Sequence, residues 1–276
     1  MALHLDDAAP AVFVARKRET RAPLPSPTHL VLIPSFNTGE KLVETVTEAR
    51  RFWQPVWVVV DGSSDGSEQA LLSRFERDGD VRVLSRARNG GKGAAILDGL
   101  RAAAQSGFTH VLTMDADGQH PAALIPDFMA ASHARPEAMI LGTPVFGEDA
   151  PALRVHGRRI SNAWANLETL WAGIDDSLFG FRVYPIAHLR RVMEGTRWMR
   201  RFDFDAEAAV KLSWSGVPAV NLSAPVRYFE RGAGGVSHFR YVRDNALLTW
   251  MHARLMAGFA RRLPRLLMRR LRSSRH

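Results

Sequence analysis

From residue 29 onward, short apolar runs alternate with stretches of helical spacing. Residues 30–34, 56–60, 81–84, 109–114 and 138–141 are apolar, β-rich and of strand length. Between them, residues 38–53, 65–78, 91–106 and 122–133 read as helices, the third rich in alanine. Strand and helix in strict alternation predict an α/β fold with a mostly parallel, doubly wound, Rossmann-like sheet flanked by helices. Beyond Gly142 the alternation breaks. Residues 143–159 read as loop, 160–172 as an amphipathic helix, 206–215 as a helix stopped by Gly216, and 219–228 as a strand. The proline-bearing residues 1–27 predict a poorly ordered arm, 28–242 the folded domain and 243–276 a helical tail. Pro264 is expected to divide that tail into two pieces.

Four polar clusters fall where the strands end: Ser35-Phe36-Asn37, Asp61 to Asp65, Asn89 to Gly93, and Asp115 to Gln119. Ligands of doubly wound sheets collect beyond the carboxyl ends of the strands, so these clusters predict one site. Asp115 and Asp117 stand two residues apart in an extended segment and point the same way. Such a pair suits a hard divalent cation whose remaining ligands come from a diphosphate. An Asp-rich turn would use the same residues. Lys92, between two glycines at a helix start, suits a phosphate, although the string lacks the spacing of a P-loop. Asp61 can accept from a nucleobase or ribose, or cap its own turn, and Asp65 reads as a helix cap. His120 and His238 read as hydrogen-bonded or surface histidines.

Composition then narrows the class. The 276 residues are 46% hydrophobic and 24% charged, as in globular proteins, and include no cysteine. A disulfide framework and a thiolate metal site are thereby excluded. No apolar stretch reaches the roughly 18 residues of a spanning helix. The net charge of +9 is local: residues 261–276 hold seven arginines and no acid, and removing those seven charges leaves +2. The chain therefore does not read as a nucleic-acid binder. A basic tail with leucines, Trp250 and Phe259 suits an anionic membrane surface, or a helix packed on the body with its arginines in water.

With these clusters in order, the chain resembles the family 2 glycosyltransferases, in particular the polyprenyl- or dolichyl-phosphate sugar synthase branch. The resemblance rests on Val31 to Asn37, the run Val-Asp-Gly-Ser-Ser-Asp-Gly-Ser at 60–67, and Asn-Gly-Gly-Lys-Gly-Ala-Ala at 89–95. Asp-Ala-Asp-Gly-Gln-His-Pro at 115–121 and Asp-Ser-Leu-Phe-Gly-Phe-Arg-Val-Tyr at 176–184 complete it. It implies a GT-A fold, a UDP- or GDP-sugar donor, Mg2+ or Mn2+, and an inverting transfer to a lipid-linked acceptor, polyprenyl phosphate or glycolipid. The place would be cytoplasmic, at the inner face of the cell membrane, in cell-envelope synthesis.

By position, the resemblance gives Asp115, Asp117 and Gln119 to the metal. Pro34, Ser35, Asn37, Asp61, Lys92, Asp115 and Arg159 fall to the nucleotide sugar. Asp117, Asp176 and Arg231 would be catalytic, with Asp176 as a base if the acceptor is a hydroxyl, or else as a partner for a nearby arginine. The branch's Gly-Ser-Arg and Ser-Lys are here Gly142-Thr143-Pro144 and Ser237-His238, which keeps a non-lipid glycan hydroxyl open as acceptor. A catalytically silent sugar-nucleotide binder is a further alternative, as is a nucleotidyltransferase. The latter would be expected to carry a Gly-rich loop after the first strand, where Pro34 to Asn37 stand.

Overall fold

The computed structural model describes residues 25–146, 152–226 and 241–273. Strand β1 (His29–Ser35) is buried along its whole length, as is β2 (Val56–Asp61), which a sheet covered on both faces requires. Leu30 and Leu32 enter one core cluster while Val31 and Ile33 enter the other, the two-residue period of a strand between two helical layers. Helices α1 (Glu40–Phe52), α2 (Ser67–Arg74) and α3 (Lys92–Gln105), with strands β3 (Val81–Arg86) and β4 (His110–Thr113), follow the predicted alternation. A 3-10 turn (Ala122–Leu124) leads into α4 (Ile125–Ala134), then β5 (Met139–Val145).

The second half departs from expectation. Residues 143–145 belong to β5, and α5 runs over Ala152–Glu168, ahead of the predicted 160–172. It stops early because Leu170 and Trp171 take left-handed backbone angles (φ 54° and 55°), which no helix continues through. Neither β6 (Arg182–Pro185) nor α6 (Ile186–Glu194) was expected. The sheet order is β3-β2-β1-β4-β6-β5-β7, with β6 antiparallel to both neighbours. Its first residue, Arg182, pairs with Thr113 at the carboxyl end of β4, so the chain re-enters the sheet from the end where β5 left it. Helix α7 (Phe204–Ser215) ends at left-handed Gly216 as predicted, before β7 (Ala219–Pro225).

The tail is one helix, α8 (Tyr241–Ser273), with Pro264 inside it. Proline removes one helical hydrogen bond. Pro264 and Ala260, whose carbonyl loses that bond, are both exposed, so water can replace it. Met251, Leu255, Phe259 and Leu266 pack on Ala165, Ala206, Val210 and Trp214 of α5 and α7. Arg254 grips the buried Glu207 at 3.0 Å, and His252 Nδ1 lies 2.9 Å from Glu168. The arm predicted for residues 1–27 falls outside the described residues up to residue 24, while the Ser26 N–H already donates to the Gln54 carbonyl.

Candidate active site

The carboxyl ends of β1, β2, β3 and β4 bring the four polar clusters together. Asn37, at φ 46°, donates its N–H to Ser63 Oγ and accepts from the Ser64 N–H, tying the loop after β1 to the loop after β2. Ser35, buried behind Pro34 at the tip of β1, bonds Thr38. Asp65 accepts from the Gly39 and Ser67 amides, capping the start of α2 from one residue before its Gly66 cap. Asp61 is 2% exposed and accepts from the Gly90 and Gly91 amides, with Arg86 Nε at 3.3 Å. That carboxylate shapes the Gly-Gly turn that presents Lys92. Gly62, at φ 70°, must lack a side chain, because a Cβ there would stand 2.7 Å from the Asn89 nitrogen.

Lys92 opens α3 and reaches across the site. Its Nζ lies 2.6 Å from Asp115 Oδ1 and 2.7 Å from Asp205 Oδ2. Burial opposes its charge, but the two carboxylates outweigh burial and hold the ammonium above its ordinary range. Burial likewise works against an ionised Asp115, and the Lys92 ammonium reverses the balance and lowers it. Asp205 Oδ1 is buried without a partner, so this acid keeps an unused acceptor facing the network. Gly180 makes room for the lysine: a Cβ there would come within 2.6 Å of Nζ.

Asp117 is the free member of the pair. Burial, and next the charge of Asp115, push its carboxyl up to about 6. Its Oδ1 accepts from the Gln119 N–H at 3.0 Å, closing a tight turn directly after the strand-end pair. His120 Nδ1 accepts the Asp115 N–H, and burial lowers this ring to about 4, so it is neutral and props the strand end. Among the described residues no group of three or more His, Cys, Asp or Glu side chains forms a complete metal cage. Two neighbouring carboxylates, one destabilised by the other's charge, fit a hard cation that takes its other oxygens from a substrate. Mg2+ or Mn2+ fits this donor set.

Asp176 is 2% exposed and fully engaged. Its Oδ1 takes Arg158 Nη1 at 2.6 Å and the Leu178 and Phe179 amides, and Oδ2 takes Asn162 at 3.2 Å. Arg182, wholly buried, donates to the carbonyls of Asp176 and Asp205 and to the Tyr184 hydroxyl. Arg159 is exposed on α5. Arg231 and His238 lie outside the described residues.

Sequence reasoning missed Asp205, Arg182 and Arg158. The one legible signal was Arg182 itself, a charge inside an apolar strand-like run that demands buried acceptors.

The model of the family described as "Glycosyl transferase family 2" matches residues 30–205. An undecaprenyl-phosphate mannosyltransferase of Micrococcus luteus is 26% identical over 220 residues, covering 74% of this chain and 85% of the relative. A polyprenol monophosphomannose synthase of Mycolicibacterium smegmatis is 26% identical over 216 residues, covering 76% and 80%. A glucosyl-3-phosphoglycerate synthase from Mycobacterium tuberculosis, solved with Mn2+, uridine diphosphate and phosphoglyceric acid, superposes with a TM-score of 0.60. That likeness covers 84% of this chain and 78% of the other at 14% identity, and speaks for the GT-A-like fold alone.

Proposed function

The chain belongs to glycosyl transferase family 2, and from that premise we propose that it carries a sugar, with inversion, from a UDP- or GDP-sugar to a lipid-linked acceptor. Polyprenyl phosphate is the acceptor that the two mannosyltransferase relatives favour, with a glycolipid as the rival. The work would belong to cell-envelope synthesis, at the inner face of the membrane. Among the described residues no helix is long and apolar enough to cross a bilayer. The observation that carries the reading is the corner where Lys92, Asp115, Asp117 and Asp205 meet at the strand tips.

Asp115, Asp117 and Gln119 would hold Mg2+ or Mn2+, which supplies positive charge to the departing diphosphate. Lys92, kept protonated by its two acids, adds a fixed ammonium on the donor side. Ser35, Asn37 and the Asp61-braced turn would line the nucleotide. Arg159 and Arg231 would meet phosphate groups, Arg231 near the reacting end. A phosphate acceptor is largely ionised at neutral pH and attacks without a base. That chemistry suits Asp176, whose oxygens are spent on Arg158, Asn162 and two amides; we read it as a positioning residue rather than a base.

The test is turnover of a nucleotide-sugar panel with polyprenyl phosphate, with and without Mn2+. Metal-dependent transfer that Asp117→Ala abolishes supports the reading. Transfer unaffected by that substitution overturns it.

A further inference from the structure

Helix α8 has two apolar faces, and only one is used by the body. Met251, Leu255, Phe259 and Leu266 point into the core on steps of four and seven residues. On the opposite side, Trp250, Ala253, Ala257, Pro264, Met268 and Leu271 follow steps of three, four and seven, and all are exposed. The large members are far out in solvent: Trp250 54%, Met268 55% and Leu271 65% exposed. An ordinary surface helix carries its charges on that side. Here the stripe takes in Arg261, four residues after Ala257 and three before Pro264, and Arg265 is exposed beside it. Arg269 caps the Ser213 carbonyl and Arg254 holds Glu207. No acidic residue follows Asp244.

We infer that this outer face of α8 is a docking surface for an anionic lipid bilayer, on which the helix lies flat while its inner face keeps hold of the catalytic body. The inference rests on the lipid-linked acceptor proposed above and names the surface that meets it. Charge complementarity selects the occupant. A second copy laid on the same stripe would set Arg261 and Arg265 against their equals, with no acid anywhere after Asp244 to offset them. A bilayer supplies acyl chains for Trp250 and Met268 and anionic headgroups for Arg261 and Arg265. The stripe runs roughly 30 Å along the helix at 1.5 Å per residue. Arg254 binds Glu207 on α7, the same helix whose Asp205 holds Lys92, so one helix links the docked tail to the site.

The experiment is co-sedimentation of the full chain with vesicles of phosphatidylcholine alone and of phosphatidylcholine with phosphatidylglycerol. It compares the wild type with Trp250→Glu/Met268→Glu and with Arg261→Ala/Arg265→Ala. All four positions are exposed, and UDP and GDP titrations on each variant report that the body is folded. We expect binding to the anionic vesicles, a loss of about tenfold or more in the arginine variant, and loss of binding in the Trp/Met variant. Vesicle binding that survives Trp250→Glu/Met268→Glu overturns the inference. So does a wild type that ignores anionic vesicles, or a dimer in solution that the same variant dissolves. Vesicle binding without sugar transfer defeats the proposed function and leaves the docking surface standing; transfer to a short-chain soluble acceptor without vesicle binding does the reverse.

Discussion

The ammonium of Lys92 lies 2.7 Å from the carboxylate of Asp205, joining the first residue of one helix to the first turn of another 113 positions later. Both side chains are largely buried, so neither charge is cheap to leave alone. Lys92→Met removes the shared counter-ion of Asp205 and Asp115 and is expected to cost about 3 kcal/mol of stability, the scale for breaking a buried ion pair. Donor binding should weaken with it. Asp205→Asn, which keeps the shape, should cost less stability yet still loosen Lys92. A double-mutant cycle by chemical denaturation that finds no coupling between the two would refute the pairing.

Gly180 tests the same lysine without touching a charged group. A Cβ at this position would stand 2.6 Å from Lys92 Nζ and 3.1 Å from Asp115 Oδ2. The lysine tip is flexible and can shift while keeping its charge near both acids, so Gly180→Ala should cost clearly less stability than Lys92→Met. It should lower kcat/KM about tenfold or more, since about 1.4 kcal/mol of misplaced charge already does that. Wild-type kinetics in this variant would show that Lys92 does not serve the donor.

Metal affinity should depend on pH through Asp117. Burial and the charge of Asp115 raise its carboxyl to about 6, and a cation binds only the ionised form. Mn2+ binding should therefore be full at neutral pH and fall away below about pH 6, where the proton competes. Calorimetric titration at several pH values measures this. An affinity that stays flat from pH 7.5 to about 5 would argue against Asp117 as a ligand.

Acid should destabilise the fold at the opposite end of the sheet. His29 stacks on His110 with centroids 4.4 Å apart and lies 3.9 Å from His133. Burial, then the neighbouring histidines, lower His29 from 6.5 to about 3, and burial also lowers His110. Both rings are neutral in the native state, whereas the unfolded chain takes up protons below about pH 6.5. Their contribution is thus complete above that pH and is lost progressively as pH falls from 6.5 towards 3. His29→Gln should flatten this acid limb in thermal melts recorded across the range. A limb as steep as that of the wild type would place its origin elsewhere.

The first half of the fold was legible because each element there announces itself locally. Val56 to Val60 is an unbroken apolar run, and the glycines before Lys92 mark a helix start. The carboxylate pair was legible for the same reason: Asp115 and Asp117 sit on the end of the strand that predicts them. Past Gly142 the signals weaken. Strand β6 is four residues long and begins with an arginine, so its pattern gives no warning of a strand, still less of a reversed one. Its direction follows from where the chain re-enters the sheet. Asp205 gives no such local signal, because the lysine it serves lies on a different element.

What the residues determined by themselves was the set of strands and helices up to β5 and the presence of a carboxylate pair at a strand tip, since periodicity and turn chemistry act over a few positions. Tertiary structure decided which charges meet and which apolar faces disappear. Pairing Lys92 with Asp205 needs the starts of α3 and α7 to meet, where a Cβ at Gly93 would lie 3.1 Å from Phe204 Cβ. The apolar positions of α8 spread around both sides of the helix, so the pattern alone could not say which side is buried. Only the surfaces of α5 and α7 choose Met251 and Leu255 for the core and leave Trp250 and Met268 in solvent, because burial is settled by the partner an apolar face finds.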